Sequence, residues 1–164
     1  MNLKIFVFSV IILFIATSSV ETVYSYVEKP PDLPAFPGAE GFGSYTKGAY
    51  GGSVDPTIYR ITNLNQDGYG SLNAALEDAI GPRIIIFEVS GNIELTDFIY
   101  VKNPYVYVAG QTAPSPGITL KGGGIVIKTH DVVIQHIRIR VGDGPGVDYS
   151  LRDCLDIGEE GREP

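Results

Sequence analysis

Several things are scarce in this 164-residue chain, and each scarcity excludes something. There is a single cysteine, Cys154, so no disulfide can form within the chain. The fold must be held by burial and hydrogen bonding, with Cys154 expected to pack as a small hydrophobe. Tryptophan is absent, and tyrosine carries most of the aromatic content. Positive charge is in deficit: the formal net charge is -7. Nucleic acid is therefore excluded as a partner, because phosphate binding needs clustered Lys and Arg. An acidic ligand would have to be drawn by local Arg or Lys groups or by a bound cation, since the chain as a whole repels it.

No apolar run is long enough to span a membrane. The longest, Ile5 to Ala16, makes about 18 Å of helix against a hydrocarbon core of roughly 30 Å. It follows a short positive start and precedes the small residues Thr17 to Ser19, the layout of a secretory signal peptide. Residues 1–25 are assigned to it, with cleavage between Ala16 and Ser25 and no stable membrane association expected afterwards; an uncleaved membrane anchor, whose pattern is similar, is the alternative. No cysteine follows the run to accept a lipid. Residues 26–37 are proline-rich and read as a linker, and 38–164 as one domain.

Glycine, by contrast, is plentiful, at 20 residues, and hydrophobic residues make up 44% of the chain, the profile of a folded domain with many turns. Gly38 to Gly52 reads as a loop anchored by aromatics, Phe36 and Phe42 among them. It has no Gly-Lys-Ser/Thr and does not suit phosphate. Ile58 to Leu64 alternates as a strand does. Ser71 is placed to cap a short helix over Leu72 to Ile80, ended by Gly81-Pro82.

Beyond Arg83 the chain becomes a succession of short β-rich runs: Ile84 to Val89, Tyr105 to Ala109, Ile118 to Lys121, Gly124 to Lys128, Val132 to Arg140 and Cys154 to Ile157. Phe87, Val108 and Ile127 recur at steps of about twenty residues, a solenoid period. Stacked coils would bury each other's apolar faces, with the helix as a lid on the first. A two-sheet sandwich fits the bare pattern too.

Five stretches then carry a resemblance: AFPGAEGFG (Ala35 to Gly43), ITNLNQDGYGSLNAAL (Ile61 to Leu76), GPRIIIFEVSGNIEL (Gly81 to Leu95), VAGQTAPSPGITLKG (Val108 to Gly122) and VVIQHIRIRVGD (Val132 to Asp143). In this order the chain resembles the N-terminal part of family 1 polysaccharide lyases, the pectate lyase group. One position departs: the residue after Ser71-Leu72 is usually basic in that group and here is Asn73.

The resemblance implies an all-β fold, a right-handed single-stranded parallel β-helix of few coils with a short N-terminal capping helix. It implies secretion to the extracellular space or periplasm, a monomer, and Ca2+-assisted β-elimination of pectate or polygalacturonate. A cation on the uronate carboxylate would stabilise the carbanion formed at C5. The group's first calcium-binding aspartate matches Asp153. A second, two residues earlier in some members, is replaced by Leu151. The Asp-His pair near the other metal ligands does not occur in the sequence, so no catalytic residue is assigned. The chain is expected to be an N-terminal portion without turnover of its own.

From the residues themselves, Arg138 and Arg140 lie two apart on a strand and share a face, either as a uronate-binding pair or as a solvated surface beside acidic neighbours. His130 and His136 read as turn and rung residues, too few for zinc. Asp143, Asp148 and Asp153 would attract a cation only loosely. Tyr100, Tyr105 and Tyr107 offer either sugar-stacking faces or a ladder within the coils. Ser71 has no nucleophile elbow around it, and Cys154 no paired histidine. Paired-carboxylate hydrolysis stays open. The alternative to an enzyme is a secreted, non-catalytic β-helix that binds acidic polysaccharide.

Overall fold

The computed structural model describes residues 33–142 and 153–158. Ten short strands occupy the apolar runs: β1 Thr57–Ile61, β2 Arg83–Phe87, β3 Gly91–Glu94, β4 Ile99–Val101, β5 Val106–Ala109, β6 Ile118–Lys121, β7 Ile125–Ile127, β8 Val132–Gln135, β9 Ile137–Arg140 and β10 Leu155–Ile157. From β2 onward, each strand pairs with the strand three places along, always in parallel. The result is three sheets: A (β1-β2-β5-β8), B (β3-β6-β9) and C (β4-β7-β10). The chain visits A, B and C in turn, so β2-β3-β4, β5-β6-β7 and β8-β9-β10 are successive coils of a parallel β-helix. β1 opens a partial coil before them.

Alternation within each strand decides what fills the interior. Ile85 stacks on Val108, Ile93 on Leu120, and Ile99 on Ile125, all 0–1% exposed. Each such side chain contributes roughly 1.5–3 kcal/mol on burial. Like residues sit on like because parallel in-register pairing repeats each inward position one coil along.

The repeat is not the regular one the sequence suggests. Val108 lies over Ile85, Ile127 over Val101, and Phe87 beside Ile61. The three residues expected to mark the period therefore belong to different rows. The step is 26 residues from Thr57 to Arg83 but 19 from Ile118 to Ile137 and 30 from Ile125 to Leu155. Corners of unequal length cause this, since only the strands must stay in register. The run Val132 to Arg140 is two strands on two faces, because His136 turns the chain between them with φ 57°. β3 and β4 are the two strands the sequence reading omitted. They are short: β3 is GNIE, with one large apolar residue, and β4 is the three residues IYV.

The helical segment forms as expected. Ser71 Oγ accepts from the Ala74 amide at 3.2 Å, and the last turn widens so that the Ala79 amide reaches the Ala74 carbonyl at 3.2 Å. Leu72, Ala75 and Leu76 are buried in the same core as the coils, which makes this segment the lid on the first one. Arg83 fastens it. This side chain is 0% exposed and points inward from β2. Its Nε donates to Ala75 O at 2.9 Å and Nη2 to Leu76 O at 2.9 Å, both carbonyls of the helical turn. Further bonds reach Gly81 O at 3.0 Å and Asn103 O at 3.3 Å. Burial pushes its pKa down from the ordinary guanidinium range, partly offset by Tyr59.

The loop ahead of β1 is not anchored by its aromatics. Phe42 is fully exposed and Phe36 is 37% exposed, whereas Ser44, Gly48 and Ala49 are buried. Small residues dock here because the loop lies flat on sheet A, where Gly48 meets the outward side chain of Val133. At the far end, Leu155 is 45% and Ile157 76% exposed, and no described residue stacks on the third coil. Cys154 shares that position. It is exposed rather than packed as a small hydrophobe, with only Sγ to Ile139 O at 3.7 Å.

Candidate functional site

Sheet B presents the chemistry. Ile137 and Ile139 of β9 turn inward, so Arg138 and Arg140 turn outward together, as their spacing requires. In register below them lie Thr119 and Lys121 of β6, and below those Asn92 and Glu94 of β3. The outer face therefore carries two columns, Asn92–Thr119–Arg138 and Glu94–Lys121–Arg140. Lys121 Nζ is 3.3 Å from Glu94 Oε1. Arg138 Nη2 donates to Pro116 O at 2.7 Å, and Arg140 Nη1 makes a long bond of 3.4 Å to its neighbour's carbonyl, Ile139 O. Among the described residues, neither arginine has a carboxylate partner. Among the described residues, the acidic neighbour of the solvated-face reading is Glu94, which is held by Lys121.

An open groove of about 470 Å³ adjoins this face. The 110–117 loop forms one wall, with Gln111 and Ser115, and His136, Ile137 and Arg138 form the other. Gln111 is fixed by its bond to Tyr107 Oη at 2.6 Å, and that hydroxyl donates to Gln135 at 2.7 Å. Gly110 allows the close approach, since a Cβ there would collide with the carbonyls of Gln135 and His136.

Asp153 sits apart, exposed, just before β10 and above Gly124. No hydrogen bond or ion pair joins it to Arg138 or Arg140 among the described residues. Calcium takes six to eight oxygen ligands. Among the described residues no three acidic, histidine or cysteine side chains come together, so Asp153 is not part of a complete calcium shell there. Asp143, Asp148 and Leu151 lie outside the described residues, as does the signal-peptide segment.

The two histidines are both corner residues. His136 joins β8 to β9, while His130 Nδ1 contacts Asp131 Oδ2 at 2.8 Å and packs edge-on against Tyr105 with centroids 5.4 Å apart. Asp131 is a hub, accepting at Oδ1 from Thr46 Oγ1 (2.7 Å) and the Lys47 amide (2.8 Å). Burial alone would raise its pKa. The bonds from His130, Thr46 and Lys47 together outweigh that and hold the carboxyl below its ordinary 3.8.

The tyrosines form no ladder. Tyr105 occupies a corner and Tyr107 the outer face of sheet A. Tyr100 lies on the outer face of sheet C, with Lys102 Nζ 5.7 Å and Lys128 Nζ 5.2 Å from its ring centre. Sequence reasoning missed Lys121 and Lys128. The alternation in ITLK does place Lys121 outward, but its neighbour across the sheet is set only by the register.

Comparison with known proteins gives the same direction. The chain is related to proteins named "Probable pectate lyase C". It is 43% identical over 131 residues to the one from Aspergillus fumigatus, covering 79% of this chain and 29% of that protein. To the one from Aspergillus flavus it is 42% identical over 144 residues, covering 87% and 32%. To the one from Emericella nidulans it is 42% identical over 113 residues, covering 68% and 25%. The chain thus spans about a third or less of the length of these relatives. No protein-family model matches it.

Proposed function

We propose that the whole protein is a secreted polysaccharide lyase of the pectate lyase family, acting on pectate or polygalacturonate by Ca2+-assisted β-elimination. The observation that carries this reading is the relatives' identity of 42–43% over 79–87% of a chain that folds as stacked parallel coils. On this reading Arg138 and Arg140 hold uronate carboxylates, their planar forks being suited to two-point bonding. Asp153 contributes one carboxylate to the metal site. On the same reading the 1–25 segment directs export; among the described residues no helix is long and apolar enough to cross a membrane.

The test is release of unsaturated uronides from polygalacturonate by the whole protein, followed by ultraviolet absorbance. Calcium-dependent release that stops on chelation is expected. Retention on pectin with no unsaturated product at any calcium concentration would overturn catalysis and leave the non-catalytic polysaccharide-binding reading. Two arginines without carboxylate partners among the described residues favour that reading as the second choice.

A further inference from the structure

We infer that the outer face of sheet B is a metal-independent holding surface for a linear polyuronate, in which Lys121 acts with Arg138 and Arg140 and the adjoining groove seats a neighbouring sugar. This rests on the reading of the substrate as an acidic polysaccharide, and it adds a binding surface with no need of the calcium site.

The argument begins with a conflict. Lys121 and Arg140 are in-register partners on adjacent strands. Such strands lie about 4.7–4.9 Å apart, and like charges directly opposite are destabilising. Glu94 relieves only the lower of the two, at 3.3 Å, with both partners largely in solvent. Among the described residues, three cations stand against one carboxylate and leave this face positive on a chain whose net charge is -7. An anion bridging Lys121, Arg138 and Arg140 removes the conflict.

The spacing says which anion. Arg138 and Arg140 are separated along the strand by about 7 Å, and Arg140 and Lys121 across it by about 5 Å. A small anion meets one corner of this triangle. A chain with a carboxylate on every unit meets all three. Arg138 stands at the joint between ladder and groove. One of its donors is spent on Pro116 O, and guanidinium has five. In the groove, Gln111, Ser115 and His136 supply the hydrogen-bonding groups that sugar hydroxyls need. No aromatic residue points outward from sheet B, whose outer residues are Asn92, Glu94, Thr119, Lys121, Arg138 and Arg140. That removes the stacking platform of single-stranded nucleic acid and the apolar footing of a membrane surface.

The experiment is affinity electrophoresis of the whole protein through gels containing polygalacturonate, with EDTA throughout. Retardation is expected to fall on the order of tenfold in the triple variant Lys121→Gln, Arg138→Gln, Arg140→Gln, and to fall as salt rises. Glu94→Gln, which frees Lys121, is expected to strengthen binding about two- to fivefold. Fully methyl-esterified pectin, its carboxylates masked, is expected not to retard the protein. Unchanged retardation in the triple variant, weaker binding in Glu94→Gln, or equal binding of esterified pectin would overturn the inference. If the triple variant does not fold, Glu94→Gln and the esterified polymer decide. Lyase turnover in calcium, measured on the same wild-type preparation, separates the two ideas. Turnover with no ladder-dependent retardation refutes the holding surface alone. Ladder-dependent retardation with no turnover refutes catalysis alone.

Discussion

Arg83 and Asp131 are charged side chains with partners far along the chain, and each closes one join in the molecule. Arg83 answers carbonyls of the helical turn and of the 103–104 corner from a fully buried position. Arg83→Met fills similar space but leaves the Ala75 and Leu76 carbonyls without a donor. An unsatisfied buried group costs about 1–3 kcal/mol, so a loss of about 3 kcal/mol or more is expected in denaturant unfolding. A loss under 1 kcal/mol would show the lid to be held by its apolar side alone. Asp131 ties the loop ahead of β1 to the corner before β8. Its depressed pKa means that its contribution is full above the unfolded carboxylate value and is lost as pH falls through the lower folded value. Asp131→Asn keeps a residue type that tolerates the left-handed backbone, φ 54° here. The variant is expected to be less stable by about 1–2 kcal/mol at pH 7, with the difference closing as pH falls through the lowered folded value. Melting curves of both proteins from pH 2 to 7 check this, and a gap independent of pH would refute it. The departure at Asn73 is mild for a visible reason: its amide still donates to Asp67 at 2.6 Å, although its Oδ1 is buried without a partner.

The strands are three to five residues long, and two of the corners that lead into sheet A share a backbone conformation. Tyr105 and Asp131 each precede a sheet A strand, and both take left-handed backbone, φ 65° and 54°, so the chain enters β5 and β8 by the same turn. Between β6 and β7 the corner is Gly122 to Gly124 and nothing else. A Cβ on Gly123 would run into the Asp97 carbonyl of the coil below, and backbone cannot step aside as a flexible side chain can. Gly123→Ala is expected to cost about 1–3 kcal/mol, read as a lowered melting temperature. Gly68, with nothing within 4 Å of its own added Cβ but φ 93°, makes the comparison: Gly68→Ala tests backbone strain without collision. An unchanged melting temperature in Gly123→Ala would mean that collision adds nothing at Gly123.

Across the whole molecule, stability runs along one axis. The first coil is closed by the helical lid and the middle coil lies between two others. Ile125 is 0% exposed and stacked on both sides, by Ile99 and Leu155, while Ile157, on the third coil, is 76% exposed. Ile125→Ala is expected to cost about 2–5 kcal/mol and Ile157→Ala within about 0.5 kcal/mol, by denaturant titration of the 164-residue chain. A large cost at Ile157 would mean that a further layer covers the third coil.

The amino-acid sequence alone determined the local terms: where apolar residues alternate, where Ser71 caps, and that Arg138 and Arg140 share a face. These depend on the twofold period of a strand and the geometry of a helix start, and both are complete within a few residues. The tertiary structure decided which run lies on which. Register passes through corners of unequal length, so the expected row of Phe87, Val108 and Ile127 dissolved into three, and Lys121 came to lie beneath Arg140. Cys154 reads as a core residue by type and is exposed by position, because burial on a coil depends on what stacks above it.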